Sequence, residues 1–215
     1  MIMSKLFTPD NLRAPGVQAL IAANLIPLFG VLFFGWSLFA IMLLYWLENI
    51  VIGIFNVIRM RRAEKPMPDA QAGVKLGGKP YVPEMKRQLI AFFILHYGLF
   101  TAVHGVFVFA LFKSDEMPTL AIVMGFVSLL WSHAVSYFTN YIGKGEYKSL
   151  SAPDLFIQPY KRIFIMHLTI IFGGGFSMAI GAPIFALVVL IALKITVDIL
   201  LHLHERDVFA KHVAG

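Results

Sequence analysis

A chain of 215 residues that is 59% hydrophobic and only 14% charged, with a mean hydropathy of +0.77, carries too little charge to coat a soluble domain of its size. The absence of cysteine excludes disulfides, thiolate zinc sites and cysteine-ligated iron–sulfur clusters. The formal charge of +6 falls mostly in loops, so it reads as membrane topology and not as nucleic-acid binding.

The pattern predicts an all-α, polytopic integral membrane protein: six transmembrane helices in one domain over residues 1–215, in the inner (cytoplasmic) membrane. The short alternating segments of an outer-membrane barrel are missing. The N-terminal stretch is polar through Pro15 and shows no cleavage site behind a short apolar core, so no cleaved signal peptide is predicted. A first apolar run covers about 16–34, with Asn24 and Pro27 inside it. Gly35-Trp36 turns the chain into a second run over about 36–60. Together the two exceed one crossing of ~20 residues, so they form an antiparallel pair.

Residues 61–87 contain Pro66, Pro68, Gly73, Gly77, Gly78, Pro80 and Pro83, and read as a flexible cytoplasmic loop. The third and fourth spans cover about 88–112 and 119–141. The mixed segment 143–159 can lie on the membrane surface through Leu150, Leu155, Phe156 and Ile157. A fifth span, about 160–180, includes Gly173-Gly174-Gly175, which either weakens the helix or admits a close neighbour. Gly181-Ala182-Pro183 turns the chain into a sixth span over about 184–204.

Basic residues orient these spans. Arg59, Arg61, Arg62, Lys65, Lys75, Lys79, Lys86 and Arg87 surround the second–third loop. Lys144, Lys148, Lys161 and Arg162 lie in or beside the fourth–fifth loop, and Lys5, Arg13, Arg206 and Lys211 lie in the termini. All fall on one side of a six-span chain, and the other side holds only Lys113. The bias predicts both termini in the cytoplasm.

Ionisable groups inside spans are costly and usually face the bundle interior. At ~1.5 Å per residue, His96 and His133 lie about 12 Å from the cytoplasmic ends, Asp198 about 10 Å and His167 about 9 Å. Glu48 lies near the middle, His202 near the inner surface and His104 roughly 24 Å out. Helical spacing gathers them into seams: Tyr45, Glu48, Asn49, Ile52 and Asn56 on the second span; Ser132, His133, Ser136, Tyr137 and Asn140 on the fourth; Lys194, Asp198 and His202 on the sixth.

Each signal has a plainer explanation beside it. Asp198 and His202 at i, i+4 can share a metal ion, but Asp198 can equally pair with Lys194 at the same spacing. A lone intramembrane histidine often only bonds a neighbouring helix, whereas His96 and His133 at matched depth suit a shared site. Glu48 is either a ligand or base, or a carboxyl bonded to a tyrosine or asparagine. His104 lies too far out to join the inner group and is expected to bond a nearby Tyr or Ser; His167 is expected to serve packing.

The segments Tyr45-Trp46-Leu47-Glu48-Asn49 and His96-Tyr97-Gly98-Leu99-Phe100, with His104-Gly105 following, resemble an uncharacterised bacterial multi-pass family known only as a domain of unknown function. The resemblance extends through His133, Asn140, Pro159-Tyr160, Lys194, Asp198 and His202. It implies the multi-pass architecture and no activity. The set of histidines with a carboxylate is similar, by chemistry alone, to the intramembrane zinc hydrolases of the alkaline ceramidase and adiponectin-receptor group, which have seven spans and different motifs.

The sequence therefore leads to a metal site, zinc by its imidazole and carboxylate donors, in the cytoplasmic half of the bundle. His96, His133 and either Asp198 or His202 are the expected ligands, Glu48 the base or a fourth ligand, and Ser136 a group that supports a ligand or an oxyanion. Zinc-bound water would allow hydrolysis of a lipid amide or ester or a peptide bond, with membrane lipids as the surrounding partners. Three alternatives remain: a proton- or ion-coupled transporter or channel, a haem-binding redox protein with His96 and His133 as axial ligands, and a structural or assembly protein with buried polar contacts.

Overall fold

The computed structural model describes residues 35–66, 75–112 and 119–169, with isolated positions between 18 and 33 and between 188 and 196. The chain divides into two compact units, residues 1–38 with 168–215, and residues 39–167. The second unit holds the polar seams of the second and fourth predicted spans. Lys194, Asp198, His202, the glycine triplet at 173–175 and the loop carrying Lys113 lie outside the described residues.

Helix α1 runs over Leu38–Arg62. At 1.5 Å per residue its length is about 37 Å, enough for a hydrocarbon layer of about 30 Å. It ends in Arg59, Arg61 and Arg62, whose charge complements the negative end of the helix dipole. The Lys86 ammonium donates to the carbonyls of Arg61 (2.8 Å) and Ala63 (2.6 Å), which the helix end leaves without intrahelical partners.

The stretch expected to be a flexible loop is partly folded. Lys75–Leu76 (β1) and Lys79–Pro80 (β2) form a small antiparallel hairpin. Gly77 and Gly78 at its tip both have positive φ, 58° and 79°, which suits the tight turn that matches strand twist. The pair is thus a hairpin tip, not merely a breaker. Tyr81 comes next and is buried; burial raises its phenol above the ordinary range, and Glu84 adds to the effect. A 3-10 turn at Pro83–Met85 leads into α2, Lys86–Phe112.

Helix α3 covers Thr119–Ser136 and continues as a π-helical turn over Tyr137–Ile142. Short helices α4 (Glu146–Ser149) and α5 (Ala152–Ile157) precede α6, Tyr160–Thr169. Ser151 and Asp154 form a reciprocal capping box at the start of α5. The segment expected to lie on the membrane surface packs one side against the protein core. Leu155 is fully buried, and its carbonyl accepts from Asn56 Nδ2 at 3.0 Å. Only Ile157 keeps the expected exposure.

Among the described residues, three helices are long and apolar enough to cross a membrane: Leu38–Arg62, Pro83–Phe112 and Ile122–Ile142. Their outer faces carry bare apolar side chains, with Leu95 and Trp131 each 72% exposed. Water would penalise such a surface and lipid would not. Toward the basic end, Met60, Tyr81, Leu89, Phe93, Tyr141, Leu155 and others pack into one core. The chain is a mainly helical membrane protein.

The seam between α1 and α2 depends on two glycines. A Cβ on Gly53 would come 2.7 Å from Tyr97 Cε1, and one on Gly105 would come 2.6 Å from the Trp46 indole. Small residues at such points let aromatic rings lie directly on the neighbouring backbone. Two hydrogen bonds fix the result: Trp46 Nε1 donates to the Thr101 carbonyl at 2.7 Å, and the Tyr97 hydroxyl donates to the Asn49 carbonyl at 3.0 Å.

Candidate functional site: an intramembrane charge cluster

The polar seam of α1 faces its neighbours. Asn49 and Asn56 are both buried. Asn49 Nδ2 donates to the Tyr45 carbonyl (2.8 Å) and approaches Met166 Sδ on α6 (3.3 Å). Its Oδ1 is buried with no hydrogen-bond partner among the described residues.

Glu48 occupies the same seam. Its Oε1 accepts from Arg162 Nη1 at 3.1 Å and lies 4.0 Å from His133 Nε2. Three helices, α1, α3 and α6, therefore meet at one carboxylate oxygen. Its side chain is 17% exposed, His133 26% and Arg162 46%. Phe55 stacks on the His133 ring, 6.1 Å between centroids at 28°, which limits the tilt of the imidazole. A cation against a carboxylate in a poorly solvated place is attracted far more strongly than in water. Removing Arg162 leaves the mostly buried Glu48 carboxylate without its cation.

Arg162 is absent from the expected site because its charge reads as part of the loop. The start of α6 explains the difference. His96 Nδ1 is hydrogen-bonded to the Tyr160 hydroxyl at 2.8 Å, and His104 Nε2 to His167 Nδ1 at 3.1 Å. These rungs join α2 and α6 in parallel with nearly constant offset. Along either helix they lie roughly 10–12 Å apart. Tyr160 thus begins at the level of His96, about 12 Å beyond the start of the third predicted span. Arg162 and His167 are displaced along α2 by the same amount. That shift also lets His104 meet His167, where the sequence suggests only a Tyr or Ser partner.

The tautomers of the outer rung follow from its acceptors. His104 Nδ1 sits 2.6 Å from the Phe100 carbonyl, which can only accept, so Nδ1 carries the proton. His104 Nε2 is then the acceptor, and His167 Nδ1 donates to it. This leaves the lone pair of neutral His167 on Nε2, in an exposed residue.

The expected ligands do not share one place among the described residues. His133 approaches Glu48; His96 is tied to Tyr160 and stacks on Phe92, 5.2 Å between centroids. No group of three His, Asp, Glu or Cys side chains able to hold a metal occurs among the described residues. Asp198 and His202 lie outside them. Ser136 is exposed and accepts a long hydrogen bond, 3.4 Å, from Asn140 Nδ2. It marks the last α-helical residue before the π turn. That turn directs Tyr141 inward, where its hydroxyl donates to the Arg59 carbonyl at 2.7 Å and its ring lies 4.8 Å from the Arg59 guanidinium. π turns concentrate at working sites, and no residue pattern in 137–142 announces this one.

A family model described as a family of unknown function (DUF6498) matches residues 7–215. The chain belongs to this family. No curated protein and no solved structure matches it. Membership in DUF6498 brings no activity with it, so the chemistry rests on the chain's own side chains.

Proposed function

We propose that this member of DUF6498 is a six-span protein of the inner membrane, with both termini cytoplasmic, that conducts protons across the membrane by exchange at Glu48. The observation that supports this most is the convergence of His133 and Arg162 on one Glu48 oxygen, from three separate helices. A carboxylate beside an imidazole can pass a proton to it, and the guanidinium makes the ionised form tolerable in the membrane. The rungs His96–Tyr160 and His104–His167 add proton-bearing groups along α2 and α6.

The guanidinium also weighs against a divalent cation at Glu48, because the carboxylate charge is already compensated. A haem held between His96 and His133 would need His96 turned from Tyr160. Zinc remains the second reading, favoured by one observation: His133 and Glu48 place an imidazole and a carboxylate 4.0 Å apart from different helices. On that reading Asp198 or His202 completes the ligand set and the protein hydrolyses a lipid or peptide.

Vesicles loaded with a pH-sensitive dye and containing the purified protein distinguish the two. On the proton reading, an imposed pH gradient collapses faster than in empty vesicles, and Glu48→Gln or His133→Asn slows this about tenfold or more. Wild-type protein that carries one equivalent of zinc and moves no protons would replace this reading with the hydrolase.

A further inference from the structure

Along the α1–α2 seam lies a groove of about 350 Å³. Ile50, Ile54 and Val57 line it from α1, and Ile94, Gly98 and Ala102 from α2. It opens outward: Ile54 is 53% exposed and Ile94 50%. Gly98 leaves part of the space, since a Cβ there would meet no atom within 4 Å. Between Val57 and Trp46, which also lines it, the groove follows roughly 16 Å of helix. That is close to the hydrocarbon depth of one leaflet, about 15 Å.

Both walls end in a cation on the same side. On α1, the spacing of Ile50, Ile54 and Val57 continues to Arg61; on α2, the row of Gly98 and Ile94 runs back to Arg87. The bonds from Lys86 to the Arg61 and Ala63 carbonyls hold these two helix ends together. Arg61 and Arg87 are exposed, and neither has a carboxylate partner among the described residues.

We propose that the groove holds one acyl chain of an anionic phospholipid, whose phosphate lies against Arg61 and Arg87. The apolar walls supply the chain contacts. The paired guanidiniums supply headgroup charge selection, because cations beside a membrane surface favour anionic lipid. The site is independent of the proton reading at Glu48.

The test is native mass spectrometry of the full chain in mild detergent, offered phosphatidylglycerol or phosphatidylcholine. Wild-type protein is expected to retain one phosphatidylglycerol per chain, about tenfold more tightly than phosphatidylcholine. Gly98→Leu fills the open space and is expected to lose the lipid while its thermal midpoint holds or rises. Arg61→Gln with Arg87→Gln is expected to bind both lipids alike, a readout that stands even if the glycine variant folds poorly. Equal wild-type affinity for the two lipids would overturn the proposal. So would unchanged binding by folded Gly98→Leu, or a dimer that dissociates in that variant, which would make the groove an interface between copies.

Discussion

At the scale of single residues, the pair Glu48–Arg162 is the feature whose loss should be felt most. The two side chains come from α1 and α6 and meet at 3.1 Å, although Arg162 is nearly half exposed, so its contribution falls below that of a fully buried pair. A double-mutant cycle of Glu48→Gln and Arg162→Gln, followed by unfolding in detergent, should give a coupling energy of about 1 kcal/mol or more, up to ~3. A coupling near zero would mean the two groups do not sense each other. The histidine rung allows a spectroscopic check. In ¹⁵N spectra of the labelled protein, neutral His104 is expected as the Nδ1–H form, dictated by the Phe100 carbonyl; the opposite tautomer would contradict the assigned direction of the His104–His167 bond. Glu48 and His133 are legible as functional candidates from their rarity inside apolar runs. Arg162 is not, because a cation five residues before a histidine and just past a proline looks like loop charge until the depth of Tyr160 is known.

At the scale of elements, the helix seams make opposite demands on three glycines of similar appearance in the sequence. Gly53→Ala and Gly105→Ala push a methyl into Tyr97 and Trp46, and each should cost about 1–3 kcal/mol. Gly98→Ala meets nothing and should gain about 0.5–1 kcal/mol from helix propensity. Unfolding midpoints of the three variants decide this, and a loss at Gly98 equal to that at Gly53 would contradict the packing. The extents of the long helices are readable from hydropathy: α1 and α2 match the second and third predicted spans within about two residues. The connection before α6 is not. Its apolar residues, Leu155 and Phe156, suit a membrane surface as well as a core. The full burial of Leu155 and the bond from Asn56 to its carbonyl place it in the core. The hairpin at 75–80 is legible in principle, since paired glycines flanked by short strands are a turn signal. The surrounding prolines hide it.

At the scale of the whole molecule, the absence of native cysteine makes topology simple to test. Single cysteines placed at Lys75, Lys148 and Lys211 should react with a membrane-impermeant maleimide only from the cytoplasmic side, and one placed at Lys113 only from the other. Labelling of Lys113 and Lys75 positions from the same side would break the six-span arrangement. The membrane character itself depends on outward-facing apolar surfaces such as Leu95 and Trp131, which agree with what composition alone implies. The proposed proton movement is a narrower matter and comes down to one carboxylate. The most direct measurement is the rate at which dye-loaded vesicles lose an imposed pH gradient, comparing wild-type protein with a Glu48→Gln variant of matched content and verified fold. A wild-type rate about tenfold or more above the variant is expected, whereas equal rates in the two preparations would contradict a working role for Glu48.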